Sequence, residues 1–112
     1  MKVFPKEFSP KVRELLWSRS RGYCEKCGRA MNPLNWCAHH RLLKSQGGVG
    51  SPQNGLACHH SCHNGDSDSI HSNPKLSYEM GWLVQSWNTP EKLPLRIPAG
   101  GSVRLTEEGT YD

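Results

Sequence analysis

Apolar residues are spread thinly along this chain and gather in short clusters between polar, glycine- and proline-bearing stretches. Phe8, Val12, Leu15 and Leu16 share one helical face directly around Ser9-Pro10. A serine N-cap followed by a first-turn proline opens a helix, so the pattern predicts one over about residues 10–20 that Gly22 ends. Residues 23–29, which carry Cys24-Glu-Lys-Cys27, read as a tight knuckle whose amides face the sulfur atoms. Residues 36–41 predict a short strand bearing His39 and His40, and Leu56-Ala57 a brief returning strand. Between them, residues 44–55 form a glycine-rich loop too poor in apolar side chains to pack. A short helix is expected to begin near Cys58 and hold Cys62 and His63. Asn73-Pro74 opens another, which Gly81 closes. Trp82-Leu83-Val84, Leu95-Arg96-Ile97 and Val103-Arg104-Leu105 read as strands, the last leading to a turn at Glu107-Glu108-Gly109. Helical and strand segments of this kind, without any internal repeat, make an α+β chain.

Composition narrows how such a chain holds together. At 112 residues it is one domain, too small to divide into two cores. Only 35% of residues are hydrophobic, while 11 glycines and 8 prolines add loop positions. A small core of this sort needs a staple, either disulfides or a structural metal. The cysteine count of five is odd, and Met1-Lys2-Val3-Phe4-Pro5 lacks the apolar core of a signal peptide. No run approaches the ~18 apolar residues of a membrane span. The expectation is therefore a cytoplasmic chain with no membrane partner, whose cysteines bind metal in place of forming disulfides. The net charge of +4 favours a polyanionic partner, although a basic soluble protein with no such partner carries the same charge.

Spacing then suggests chemistry. Cys24-x2-Cys27 and Cys58-x3-Cys62 have the intervals of a four-thiolate structural zinc site, which leaves Cys37 as a small core residue. Interleaved with them run His39-His40, Asn54 and His63. Hydrolysis of a phosphodiester needs an activated water, a cation on the phosphate and protection of the leaving oxygen. Imidazole titrates near neutrality and can take a proton from water. Adjacent residues on a strand point to opposite faces, so a histidine pair can divide into one base and one metal ligand. A histidine delivered by a helix can then complete an open metal site, distinct from the closed cysteine site. Arg41 and Lys44 follow the histidine pair and are candidate phosphate contacts, or else ordinary solvated charges. His59 and His60, between the zinc cysteines, read as exposed or supporting groups, and most of the four tryptophans as packing.

These residues together resemble the HNH, or ββα-metal, endonuclease family, more narrowly its small phage and prophage members often encoded beside DNA-packaging genes. The resemblance rests on Cys24-Glu-Lys-Cys27, Ala38-His39-His40-Arg41, Gly47-Gly48, Pro52-Gln53-Asn54-Gly55-Leu56, the run from Cys58 to His63, and Ile70-His71-Ser72-Asn73-Pro74. It continues through Met80-Gly81-Trp82-Leu83-Val84 and the Leu105-Thr106 and Glu108-Gly109 ending, which spans nearly the whole chain. It implies a zinc-stabilised α+β domain with a ββα-metal core over residues 36–72, the N-terminal helix before it and an extension over residues 73–112 after it. His40 would be the general base, His39 and His63 ligands of a catalytic metal, and Asn54 a brace for the hairpin loop that orients the base. Cys24, Cys27, Cys58 and Cys62 match the family's structural zinc site. The implied reaction cuts DNA to 5′-phosphate and 3′-hydroxyl ends with Mg2+ or Mn2+, while histidine ligands also suit Zn2+ and Ni2+. A terminase subunit as partner, and the cytoplasm of a bacterial host, follow by the same association.

One departure stands out. Relatives place the last metal position about one helical turn after the second motif histidine, whereas His71 here lies eight residues beyond His63, past Gly65. Either the intervening segment loops out and returns His71 to the metal, or His71 has another task. The rival reading of the whole chain is a zinc module that binds nucleic acid or protein without catalysis. A secreted disulfide-bonded toxin is disfavoured by the odd cysteine.

Overall fold

In the computed structural model the described residues are 3–112, so Met1 and Lys2 of the N-terminal segment lie outside it. Helix α1 spans Pro10–Ser20, with the Ser9 hydroxyl accepting the Val12 amide at 3.1 Å. It ends as a left-handed cap at Arg21 (φ 57°), followed by Gly22 (φ 79°). Val12 and Leu16 bury its apolar face. The knuckle follows, and then a hairpin of β1 (Cys37–His40) and β2 (Gly55–Cys58), antiparallel, with Cys37 opposite Cys58 and His40 opposite Gly55. Gly55 lets α1 approach the sheet, because a Cβ there would stand 2.8 Å from Leu16 and Phe8 carbons. The single-turn helix α2 (His60–His63) leaves the hairpin, and α3 (Pro74–Met80) follows, ended by Gly81 (φ 82°). A small antiparallel pair, β3 (Leu95–Arg96) with β4 (Ser102–Val103), completes the chain. Among the described residues this makes three α-helices and two two-stranded antiparallel sheets, an α+β fold.

The apolar residues gather in two clusters, not the single core that so short a chain suggests. Val12, Leu16, Met31, Trp36 and Ala57 form one with cysteines of the knuckle region; Leu56, Ile70, Trp82, Leu83, Leu95 and Leu105 form the other. Neighbouring residues of β2, Leu56 and Ala57, supply one cluster each, as alternation along a strand requires. Residues 82–84 are buried but are not a strand. The amides of Trp82 and Leu83 both donate to the Ser77 carbonyl and that of Val84 to the Arg41 carbonyl, so their backbone is satisfied without a ladder. The last strand is shorter and earlier than the pattern suggests, with a Leu105–Tyr111 bridge closing the terminal turn.

Two arginines do work that a larger chain assigns to apolar side chains. Arg19 forms a buried bidentate pair with Glu25, Nε to Oε2 at 2.9 Å and Nη2 to Oε1 at 2.7 Å, and also donates to the Pro52 and Gly55 carbonyls. Glu25 in turn accepts the Ala57 amide and the Tyr111 hydroxyl, so helix, knuckle, strand and C-terminus meet at one ion pair. Arg41 is the correction to a phosphate contact. Its side chain is fully buried and spends its donors on the carbonyls of Gly81, Gln53, Pro90 and Leu93, with a longer reach to Pro94. Burial pushes its proton affinity down to about 10, still charged at neutral pH. Removing one partner of a buried pair strands the other charge. Arg19→Leu is accordingly expected to lower the unfolding free energy by about 3–5 kcal/mol, read from urea denaturation. A loss under about 1 kcal/mol, the usual worth of a surface pair, would contradict this account.

Candidate functional site

The knuckle turns as the cysteine spacing predicts. The Lys26 and Cys27 amides both lie 3.4 Å from Cys24 Sγ, and the Gly28 amide returns to the Cys24 carbonyl at 2.9 Å. Across from it stand His59, the N-cap of α2, and Cys62 within α2. His59 Nδ1 is 3.4 Å from Cys27 Sγ and 3.8 Å from Cys62 Sγ, while its Nε2 lies 3.1 Å from the Ala30 carbonyl. A proton on Nε2 donated to that carbonyl leaves the Nδ1 lone pair facing the sulfurs, the orientation a metal-bound imidazole requires. The ligand atoms of Cys24, Cys27, His59 and Cys62 all lie within 4.8 Å of one another, and this group can hold a structural metal such as zinc. Burial opposes ionisation of Cys27, but hydrogen bonds from the Arg29 amide and guanidinium and from neighbouring thiols outweigh it and bring that thiol down to about 6. Burial instead raises Cys62 to about 12.

The expected ligand Cys58 is not in this group; His59 takes its place. Cys58 ends β2, fully buried and directly opposite Cys37. Residue 59 begins the helical turn and shares a face with residue 62, which brings its imidazole to Cys27 and Cys62. A signal for this existed, since His59-x2-Cys62 repeats the interval of Cys24-x2-Cys27.

A second group is made of histidines alone. His39, on β1, is 1% exposed; its Nε2 is 2.7 Å from the Trp82 carbonyl, and its buried Nδ1 finds no hydrogen-bond partner among the described residues. His63, at the end of α2, places Nδ1 3.2 Å from Cys37 Sγ and Nε2 3.1 Å from His71 Nε2. The three rings stand 4.8 to 5.5 Å apart by centroid, with their nitrogens within 4.8 Å of one another. His71 arrives by the looped-out route. Residues 64–69 bulge away, and the Ile70 and His71 amides return to the Cys62 and His63 carbonyls at 2.8 and 3.4 Å. Asp66 and Asp68 stay exposed in that loop. Burial, reinforced by the neighbouring histidines, pushes His39 down to about 3, so it is neutral at ordinary pH with a lone pair to offer. His71 is also lowered, first by burial and then by the charge of His63.

His40 lies apart from that trio in the same cleft of about 370 Å³, whose walls include His39, His40, His63, His71, Arg13 and Lys44. Its ring stacks on Phe8 at 4.2 Å, and Nε2 is 2.6 Å from the Lys6 carbonyl. A donated Nε2 proton leaves Nδ1 as its basic nitrogen. Burial lowers its proton affinity and the nearby Lys44 adds to this, against the Lys6 carbonyl. Lys44 pairs with Glu7 at 2.7 Å on the cleft rim. Arg13, which sequence reasoning missed, lies with its Cζ 4.2 Å from the Trp36 ring centroid. Asn54 touches the loop: its side chain accepts the Leu42 amide at 2.7 Å and donates to the Leu42 and Val49 carbonyls, a brace for the segment after β1. His60 is exposed. A larger and mainly apolar cavity of about 500 Å³ lies against the knuckle, between Tyr23, Cys24, Ile97 and Tyr111, away from the histidines.

Comparisons of this chain with protein-family models, with curated proteins and with solved structures find no match. Among the described residues no helix is long and apolar enough to cross a membrane.

A metal held by the thiol group would contribute to folding directly, because its binding energy is folding energy. Cys24→Ser and His59→Ala are therefore expected to lose bound zinc and thermal stability together. Cys58→Ala should keep full zinc content, measured by elemental analysis, and lose only packing stability. Zinc loss in Cys58→Ala with retention in His59→Ala would reverse the two assignments.

Proposed function

We propose that this chain is a metal-dependent DNA endonuclease of the HNH type. The observation that carries the reading is the cleft in which the nitrogens of His39, His63 and His71 converge while His40, tied separately to a main-chain carbonyl, shares the same walls. The order of β1, β2 and α2, which deliver these side chains, supports a ββα-metal core over residues 36–72. The orphaned, buried Nδ1 of His39 fits an ion as its missing partner. Such an ion, when bound, stabilises charge on the scissile phosphate and the leaving 3′-oxygen. Three imidazoles suit Zn2+ or Ni2+ better than the oxygen-seeking Mg2+, with Mn2+ between them in the affinity order.

In this reading His40 accepts a proton from water through its free Nδ1, and Phe8 and the Lys6 carbonyl hold the ring in place. Arg13 and Lys44 present positive charge to the flanking phosphates. Asn54 acts through the loop that it braces. The products would be 5′-phosphate and 3′-hydroxyl ends. The same resemblance extends the proposal to phage DNA packaging with a terminase subunit, in the cytoplasm of a bacterial host. A zinc module that only binds nucleic acid or protein would need the thiol group but not the histidine cleft.

Plasmid cleavage with Mn2+, Mg2+, Ni2+ or EDTA tests this directly. His40→Ala is expected to keep its zinc and melting temperature yet lose on the order of 10²–10⁴ in rate, the usual worth of a general base. His63→Ala should lose activity together with catalytic-metal affinity. Cleavage by His40→Ala at the wild-type rate would remove the general-base role from His40, and full activity in both His39→Ala and His40→Ala with no effect of EDTA would end the reading as a metal-dependent enzyme.

A further inference from the structure

We propose that Cys37 is a positioning residue for the histidine centre: its sulfur accepts the Nδ1 proton of His63, fixing the tautomer whose Nε2 faces His39 and His71. The inference rests on reading those three histidines as a metal centre. It begins with the cysteines left over. Three of the five, Cys24, Cys27 and Cys62, belong to the thiol group with His59. The remaining two, Cys37 and Cys58, are paired across β1 and β2.

Cys37 and His39 are two apart on β1 and so project from the same face of the strand. His63 meets both, with Nδ1 3.2 Å from Cys37 Sγ and its ring centroid 5.0 Å from that of His39. A neutral imidazole can offer a lone pair from one nitrogen only if the other carries the proton, and a proton withdrawn from water needs an acceptor. His39 satisfies this with the Trp82 carbonyl, which takes Nε2–H at 2.7 Å and frees Nδ1. His63 satisfies it with Cys37, which takes Nδ1–H and frees Nε2, 3.1 Å from His71 Nε2. The two ligands thus project opposite ring nitrogens toward the centre, each set by a different acceptor. Cys58, fully buried, is the cross-strand partner of Cys37 at the end of the hairpin.

The test reads the tautomer first and the metal second. Long-range proton–nitrogen NMR of 15N-histidine protein, loaded with one equivalent of Zn2+, should show His63 protonated on Nδ1 in the wild type and in Cys37→Ser, but a mixture in Cys37→Ala. Titration with Mn2+ alone should then show affinity reduced on the order of 10- to 100-fold in Cys37→Ala, and near wild type in Cys37→Ser, with zinc content unchanged in both. Wild-type His63 protonated on Nε2 overturns the proposal without needing any variant to fold. So does a Cys37→Ala protein with unchanged tautomer and Mn2+ affinity. Failure of the wild type to take up Mn2+, with His63 held on Nδ1–H as stated, would overturn the metal-centre reading while upholding the role of Cys37.

Discussion

A helix of one turn has no stability of its own, because nucleation costs more than four residues can return. Yet α2 carries side chains of both histidine-bearing groups: Cys62 turns toward the knuckle with its N-cap His59, and His63 turns toward β1. What holds α2 is the clamp between residues 24–27 and 59–62. The position of His63, and through it the returning His71, depends on that clamp. The histidine cleft is thus mechanically downstream of the thiol group, and a change that loosens the knuckle is felt at histidines that never touch it.

Around this clamp the chain compensates for its small apolar content with buried polar geometry. Arg19 and Glu25 join α1, the knuckle, β2 and the C-terminal turn through charge-assisted hydrogen bonds. Arg41 pins the extension after α3 to the hairpin through carbonyls alone. Both side chains are long enough to span elements that two small clusters of leucine, valine and tryptophan could not bring together. The cost is that each must be fully satisfied, since an unpaired buried charge is worse than none.

The cleft divides its histidines by environment. His39 is buried, neutral and oriented by one carbonyl; His40, one residue on, stands against Phe8 and the N-terminal segment. Alternation along β1 separates the neighbours, and the proposed division of labour between ligand and base follows from that separation. It is also why the N-terminal residues matter to the site: Lys6, Glu7 and Phe8 supply a carbonyl, a counter-charge to Lys44 and a stacking surface.

Much of the local structure was written in short-range signals. Ser9-Pro10 and Arg21-Gly22 bound α1, Asn73-Pro74 and Gly81 bound α3, and Cys24-x2-Cys27 forms its turn, because capping and tight turns depend on residues within a few positions of one another. The hairpin bearing His39 and His40 was legible for the same reason. Tertiary structure decided everything that turns on where a side chain points after the chain changes direction. Cys58 and His59 are adjacent, and only the passage from β2 into α2 determines that the histidine and not the cysteine joins the group with Cys24, Cys27 and Cys62. Arg41 looked like a solvent-facing cation until α3 and the segment over residues 90–94 closed over it. His71 regained His63 only through amides that bond back across the bulge of residues 64–69. Trp82, Leu83 and Val84 read as a strand, but their hydrogen bonds go to Ser77 and Arg41, partners chosen by packing that no local pattern encodes.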